Sequence, residues 1–338
     1  MTDDTDTADA PAEAFFAPAP LGIGAHHNVS ADVYHRDPTI EVSVSSGVLH
    51  TLVSQSPRHA WCAHSKLNPN WKPTDKTSFD IGRAAHALVL GDGKAEFELF
   101  DLPGWQNAKK DDKEARAQAW RDKKIPLLVS QYDRMVAMAK ACHAQLEHLR
   151  DGAGKLIGNP LTKGRPETAL IWRDAQTGVL CRARLDWHPD DVHAGLPLYD
   201  FKSTTGSAHP QQVERHLKGI GAYFQAAFYR RGFSQVHHVM PPPFRFIVQE
   251  TDEPYALSVP EVGPMNLGEA DEDVTKALLM WRRCLSENVW PGYPARVYEL
   301  EPAEWEIRQR DERRQMDAID KDRGVDTFAQ LIAWQAPQ

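Results

Sequence analysis

Between Glu167 and Lys202 the chain carries three short apolar runs, each cut off by polar residues, with helical periodicity on either side. No other feature limits the fold so tightly. The run Glu167 to Trp172 alternates, with Ala169 and Ile171 on one face and Leu170 and Trp172 on the other. A polar turn, Arg173 to Gly178, leads into Val179 to Trp187, whose apolar members are Leu180, Cys181, Ala183, Leu185 and Trp187. The pair predicts a hairpin, and Leu196 to Lys202 predicts a third strand.

Upstream, Ser45 or Ser46 is placed to cap a helix through Val48, Leu49, Leu52 and Val53, and Pro57 opens another over Arg58 to Lys66. Ser78 to Leu90 has helical spacing and stops at Gly91-Asp92-Gly93; Leu127 to Leu149 predicts a long amphipathic helix. Downstream come a helix from His209 to about Gly232, strands at Phe244 to Gln249 and Tyr255 to Val259, and a helix from Gly268 to Glu287. This order predicts an α/β fold, a mixed central sheet flanked by helices, with an N-terminal helical region. The expected organisation is an acidic, disordered or irregular tail over 1–40, a helical region over 41–160, the core over 161–295 and a C-terminal helical extension over 296–338.

The chain has 338 residues, 41% hydrophobic and 25% charged, the balance of a soluble globular protein. No apolar run reaches eighteen residues, so no membrane span is expected, and the first residues lack the basic start and apolar core of a signal peptide. A cytoplasmic location is the default expectation. The four cysteines, at 62, 142, 181 and 284, never form a CxxC pair, which leaves a zinc or iron–sulfur cluster without support. The net charge is −8, but Asp3, Asp4, Asp6, Asp9 and Glu13 supply five of the negative charges. The remaining balance of about −3 is ordinary, though it argues against a long basic face for nucleic acid.

The chemistry concentrates in two segments, Arg182-Ala-Arg184-Leu-Asp186-Trp and Leu198-Tyr-Asp200-Phe-Lys202-Ser-Thr. Asp200 and Lys202 are two residues apart, so on a strand they project to one face. If the strands are neighbours, Asp186 joins them. Two carboxylates at close range repel each other, and a divalent cation with a taste for oxygen ligands, magnesium or manganese, resolves the conflict. Such a centre suits phosphodiester hydrolysis, with Lys202 orienting the water or offsetting developing charge. A bare DxK triplet also arises by chance as a surface ion pair beside a strand.

The wider pattern resembles the PD-(D/E)xK nuclease superfamily. Within it the chain is similar to RecB-like nucleases, and most of all to the RecE-type exonuclease VIII group of phages and prophages. Five motifs stand in that family's order: Gly82-Arg-Ala-Ala-His86 (GxxxH), Glu167, Arg184-Leu-Asp186 (RxD), Asp200-Phe-Lys202 (DxK) and Gln225-Ala-Ala-Phe-Tyr229 (QxxxY). Trp290-Pro-Gly-Tyr293 resembles a late element of the RecE-type group. The resemblance implies a restriction-endonuclease-like core in which His86, Asp186, Asp200 and the Phe201 carbonyl hold Mg2+, with Mn2+ able to substitute. Lys202 is then the catalytic lysine and Glu167 sits at the edge of the site. It further implies that Gln225 and Tyr229 face the substrate or support the lysine. Read from the residues alone, Ser203 and Thr204, near Arg182 and Arg184, are placed to contact phosphate close to the scissile bond. The implied activity is 5′-to-3′ exonucleolysis of linear duplex DNA ends, with a single-strand annealing protein as partner and assembly into a homo-oligomer. The alternatives are an endonuclease of repair or restriction type and an inactive DNA-binding assembly module.

Several features carry two readings. Arg184 either contacts phosphate or pairs with a carboxylate, and Arg182 stands near it. The stretch Lys109, Lys110, Lys113 and Arg116 is interrupted by acids and reads as a solvated helix start in preference to a DNA groove. Trp71 with Lys66, Lys72 and Lys76 either stacks on a base or packs on the core. Asp271 to Asp273 reads as a helix N-terminus.

Overall fold

The computed structural model describes residues 19–72, 77–91 and 95–324. The acidic residues of the tail, Lys76 and most of the Gly91-Asp92-Gly93 stop signal lie outside the described residues.

The chain starts with strand β1 (Gly24–His26), helix α1 (Ala31–His35) and strand β2 (Val44–Ser45). The irregular stretch expected up to Thr39 thus contains a strand and a helical turn. Helices α2 (Ser46–Ser54) and α3 (Pro57–Ala63) follow, with Ser45 accepting from the Val48 N–H and Pro57 in the first turn of α3. After α4 (Thr77–Leu90), a parallel pair, β3 (Phe97–Phe100) and β4 (Ile125–Leu128), is connected through α5 (Lys110–Arg121). The pair was not expected. Four-residue strands carry little periodicity, Pro126 argues against a strand, and Leu127 read as part of the helix that follows. That helix, α6 (Val129–Leu146), begins two residues later than expected.

Strands β5 (Gly164–Arg173) and β6 (Leu180–Pro189) form the predicted antiparallel hairpin. Its turn is fixed by Asp174, whose carboxylate accepts from the Thr177 N–H at 2.9 Å and hydroxyl at 2.7 Å. Strand β7 (Leu198–Thr204) comes next. The single helix expected from His209 is two, α7 (Pro210–Gly219) and α8 (Ala222–His237), because Gly221 adopts φ +69°. A Cβ there would also collide with the His50 ring. Strands β8 (Phe244–Glu250) and β9 (Leu257–Ser258) precede α9 (Pro264–Glu287). This last helix starts before Gly268, so Asp271 to Asp273 lie inside it and not at its N-terminus. Asp271 pairs instead with Arg231 on α8, at 2.6 Å.

The main sheet has seven strands in the order β1-β5-β6-β7-β8-β9, with β2 also paired to β6. It is mixed: β2–β6 and β7–β8 are parallel and the other pairs antiparallel. One face carries Leu170, Trp172, Ala183, Leu185 and Phe246 into a core with Leu49 and Leu52 of α2, Phe228 and Phe233 of α8 and Trp281 of α9. The other carries Trp187, Tyr199, Phe201 and Ile247 against Val89 of α4 and Met135 and Met138 of α6. These layers are the α/β sandwich that the sequence order predicts. Residues Tyr293–Gln338 form a second compact unit whose helix, α10 (Glu304–Asp322), is charged along its length and buries none of its residues. Among the described residues, no helix is long and apolar enough to cross a membrane.

Candidate active site

The site lies where β6 changes partners. One edge of β6 is taken by β5. Along the other, β2 pairs at Cys181 and Arg182, and β7 pairs only at Trp187↔Tyr199. Between these contacts the edge is open from Ala183 to Asp186. The Asp186 carboxylate fills part of the opening: its Oδ2 accepts the Phe201 N–H at 2.8 Å, in place of a ladder bond from β6. Asp186 therefore lies in the mouth between two splayed strands, beside Asp200, and not on either face of a continuous sheet.

Four elements converge on this opening. From α4, His86 presents Nε2 to Asp186 Oδ1 at 3.0 Å and Nδ1 to Glu167 Oε1 at 2.8 Å. Ala85 and Val89 point into the core, which leaves His86, a step around the helix, facing the gap. Glu167 reaches it from β5 through a left-handed backbone, φ +60°, between Pro166 and Thr168, while the hairpin register runs on unshifted and sets it opposite Asp186. Its second oxygen pairs with Arg184. From β7, Lys202 pairs with Asp200, whose side chain is 1% exposed. From α8, Gln225 donates Nε2 to Asp200 Oδ1 at 2.8 Å and also bonds to the buried Tyr229 hydroxyl.

The electrostatics follow from this crowding. Burial pushes the Asp200 carboxyl up to about 6, helped by the neighbouring Asp186 and opposed by Lys202. Burial also works against charge on His86, but the Asp186 and Glu167 carboxylates prevail and raise it to about 10. Asp186 is itself desolvated, yet His86, Lys202 and the Phe201 N–H hold it below the usual carboxylate range. Lys202 is raised, burial being outweighed by Asp200 and Asp186. Three carboxylates thus face three cations: the His86 imidazolium, Lys202 and Arg184.

Among the described residues no three His, Cys, Asp or Glu side chains are already gathered as a metal centre. The donor set still fits one in kind. An imidazole and two carboxylates meet at one opening, and because burial and the neighbouring Asp186 disfavour the Asp200 anion, added positive charge there would relieve it. His86, Asp186 and Asp200 are the residues that would hold a divalent cation, at the cost of the His86 proton.

Other sequence expectations fare unevenly. Phe201 supplies its N–H to Asp186, and its ring lies under His86 at 6.4 Å. Arg184 takes the carboxylate-paired alternative. Arg182 does not reach solvent: it is 2% exposed and pairs with Asp37 and the Ser43 hydroxyl, with Tyr34 donating to its carbonyl at 3.2 Å. The Thr204 hydroxyl accepts the Gly206 N–H and so caps a turn, while Ser203 follows Lys202 on the alternate side of β7. Lys66 is engaged with the carbonyls of Thr39, Ile40 and Glu41, and Trp71 lies against Arg36 at 6.0 Å. Lys109 starts α5 with its N–H on Asp112, an exposed helix start. Tyr34, Asp37 and Ser43, which brace the RxD strand, had no sequence signal, because they belong to a segment with no periodicity.

A helix-flanked mixed sheet whose splayed strands carry DxK and RxD, with a helical histidine opposite, defines the PD-(D/E)xK fold class. Residues 51–298, well over half of the chain, match the family model described as PDDEXK-like domain of unknown function (DUF3799). The chain belongs to that family. Among solved structures, a protein of Eubacterium rectale named as a putative exonuclease superposes with a TM-score of 0.51 at 14% identity, covering 83% of this chain and 98% of that one. At that identity the likeness speaks for the fold alone. Comparison with curated proteins gives no match.

Proposed function

We propose that this protein is a divalent-metal-dependent deoxyribonuclease that degrades linear duplex DNA from its ends, as a 5′-to-3′ exonuclease of phage-type recombination. The observation that carries the reading is the convergence of His86, Asp186, Asp200 and Lys202 on the opening between β6 and β7. Family membership supports it, and so does the name of the Eubacterium rectale protein.

When bound, Mg2+ or Mn2+ supplies Lewis acidity toward the scissile phosphate and lowers the pKa of water. The chain does the rest. Asp186 and Asp200 place negative oxygen on either side of the opening. Gln225 holds Asp200 in its rotamer, with Tyr229 behind it. Glu167 fixes Nδ1 of His86, so that Nε2 is the nitrogen turned inward. Lys202 remains charged at neutral pH, orients the attacking water and offsets charge on the phosphoryl oxygens. Working beside a single-strand annealing protein and assembling into a homo-oligomer belong to the same proposal.

The test is a cleavage assay with Mg2+ on linear duplex labelled at either end, closed circles and single strands. The reading expects nucleotides released from the 5′ end of linear duplex and intact circles. Lys202→Ala should lose at least about a hundredfold in rate, the scale of a positioned proton-transfer or charge-stabilising group, with an unchanged circular dichroism spectrum. Cut circles would replace exonuclease by endonuclease, and wild-type rates in Lys202→Ala would remove the lysine's role.

A further inference from the structure

A cleft of about 530 Å3 lies between α7, the start of α8 and the β8–β9 edge of the sheet, a size that accommodates small organic ligands. Its floor is made by the buried Leu217, Phe246 and Val262, and its rim carries Tyr223, Ser258 and Asn266. The wall after β9 is tied to β8. The Phe246 N–H donates to the Pro260 carbonyl and the Val262 N–H to the Phe244 carbonyl, both at 3.0 Å. The cleft is therefore preformed.

The sheet register sets this cleft beside Lys202. Phe201 packs on the side of α4 and α6, so its neighbours Asp200 and Lys202 project to the side of α8. Their partners on β8, Phe246 and Val248, pack on that side too, and Ser258 of β9 pairs with Val248. Lys202, Val248 and Ser258 thus form a row across one face of the sheet. Two strand spacings, about 10 Å, separate the ends of the row. The Lys202 ammonium lies 5.8 Å from the Phe246 ring that floors the cleft. A stacked nucleotide chain advances about 3.4 Å per residue, so the cleft is within a few nucleotides of a phosphate held at Lys202.

The chemistry of the rim selects which part of a nucleic acid it takes. Its two acids, Glu214 and Glu261, are each answered by a cation, Lys218 and Arg245, at 2.7 Å. The mouth therefore has no spare positive charge for a phosphate and no net negative charge for a basic chain. It offers instead the half-buried Tyr223 ring, an apolar floor and the polar side chains of Ser258 and Asn266. The Ser258 Oγ is buried and has no hydrogen-bond partner among the described residues, and the register turns it to the side of the cleft. A buried hydroxyl without a partner is costly until a ligand supplies one. A flat, uncharged, aromatic ligand with polar edges meets these demands, and a nucleobase has that chemistry.

We propose that the cleft between α7, α8 and β9 receives one unpaired nucleobase of the DNA, a few nucleotides from the scissile phosphate, stacked on Tyr223 and hydrogen-bonded by Ser258. The proposal rests on the nuclease reading for its substrate, but its test is binding and not turnover. In a Lys202→Ala background with Mg2+ present, affinity for a short fluorescein-labelled linear duplex is read by anisotropy. Each nucleotide near the end, in either strand, is replaced in turn by an abasic one. One position should weaken binding about tenfold, the usual scale for a base stacked on an aromatic ring. Tyr223→Ala should weaken binding of the intact duplex by a similar factor and erase the difference at that position. Tyr223→Phe keeps the ring and should behave as its parent. Ser258→Ala should weaken binding about fivefold, the scale of one hydrogen bond, without lowering the melting temperature of the free protein, because the hydroxyl has no partner there to lose.

A scan without such a position, or a position whose effect survives in Tyr223→Ala, overturns the proposal. So does a Ser258→Ala protein that binds as its parent does or melts well below it. A wild-type protein that binds duplex but never cleaves it would overturn the nuclease reading, while the abasic scan still decides the role of the cleft. A protein that binds no DNA overturns both.

Discussion

At the scale of residues, the centre is an over-crowded electrostatic site held by exchanged partners. Asp200 illustrates the conflict. Its folded carboxyl sits near 6, above its ordinary value of 3.8. A raised folded pKa contributes stability that is complete below the ordinary value and is lost as pH rises through about 6. The metal-free protein therefore bears the burden of the buried charge at pH 8 and not at pH 4. Asp200→Asn should raise the melting temperature of EDTA-treated protein by a few degrees at pH 8, with the gain shrinking toward pH 5. Scanning calorimetry at both values checks it. A gain that grows toward acid would mean that Asp200 is stabilised as the anion. The pairings of His86 with Asp186 and Glu167 point the same way, since a divalent cation must displace a proton to enter.

At the scale of elements, the site depends on where regular structure is interrupted. β6 and β7 part after Trp187↔Tyr199, the β5 backbone turns left-handed at Glu167, and the α7–α8 run breaks at Gly221. Gly221→Ala must adopt a left-handed backbone and displace His50. The expected cost is about 1–3 kcal/mol, seen as a lower urea midpoint with an unchanged m-value. A neutral result would show that the α7–α8 turn relaxes freely. These interruptions also explain what the sequence could and could not convey. The hairpin, β7, α2 and α3 were legible because alternation, capping serines and Pro57 are local signals. The break at Gly221 was not, because one glycine in a helical pattern does not reveal its φ. Asp186, Asp200, Lys202, His86 and Glu167 were legible as motifs. That Asp186 would cap the Phe201 N–H inside a gap was not, since two strands in sequence give no measure of how far they splay.

At the scale of the whole molecule, the structured core is larger than the family match. Residues 51–298 match the family model, yet β1, α1 and β2 precede them and complete the sheet. Asp37 and Ser43 of this segment neutralise and bond Arg182, which is 2% exposed. A chain that begins at residue 51 leaves that guanidinium buried without its partners. Such a loss costs about 3–5 kcal/mol, a large share of a domain's stability. The shortened chain is expected to be insoluble or to melt far below the full-length protein. Equal melting temperatures for the two would show the N-terminal strands to be dispensable. The strands β1 and β2 escaped sequence reading for a physical reason: two- and three-residue strands gain their stability from the sheet they join and carry no pattern of their own.

The central claim is that His86, Asp186 and Asp200 hold a divalent cation that makes phosphodiester hydrolysis possible. The most direct measurement is the initial rate of nucleotide release from end-labelled duplex as Mg2+ or Mn2+ is titrated into EDTA-treated protein, for the wild type and for Asp186→Asn. The account predicts a saturable, metal-dependent rate in the wild type, none without metal, and a loss of at least about a hundredfold in a folded Asp186→Asn protein. Cleavage that persists in EDTA, or an Asp186→Asn variant that follows the wild-type titration, would contradict it.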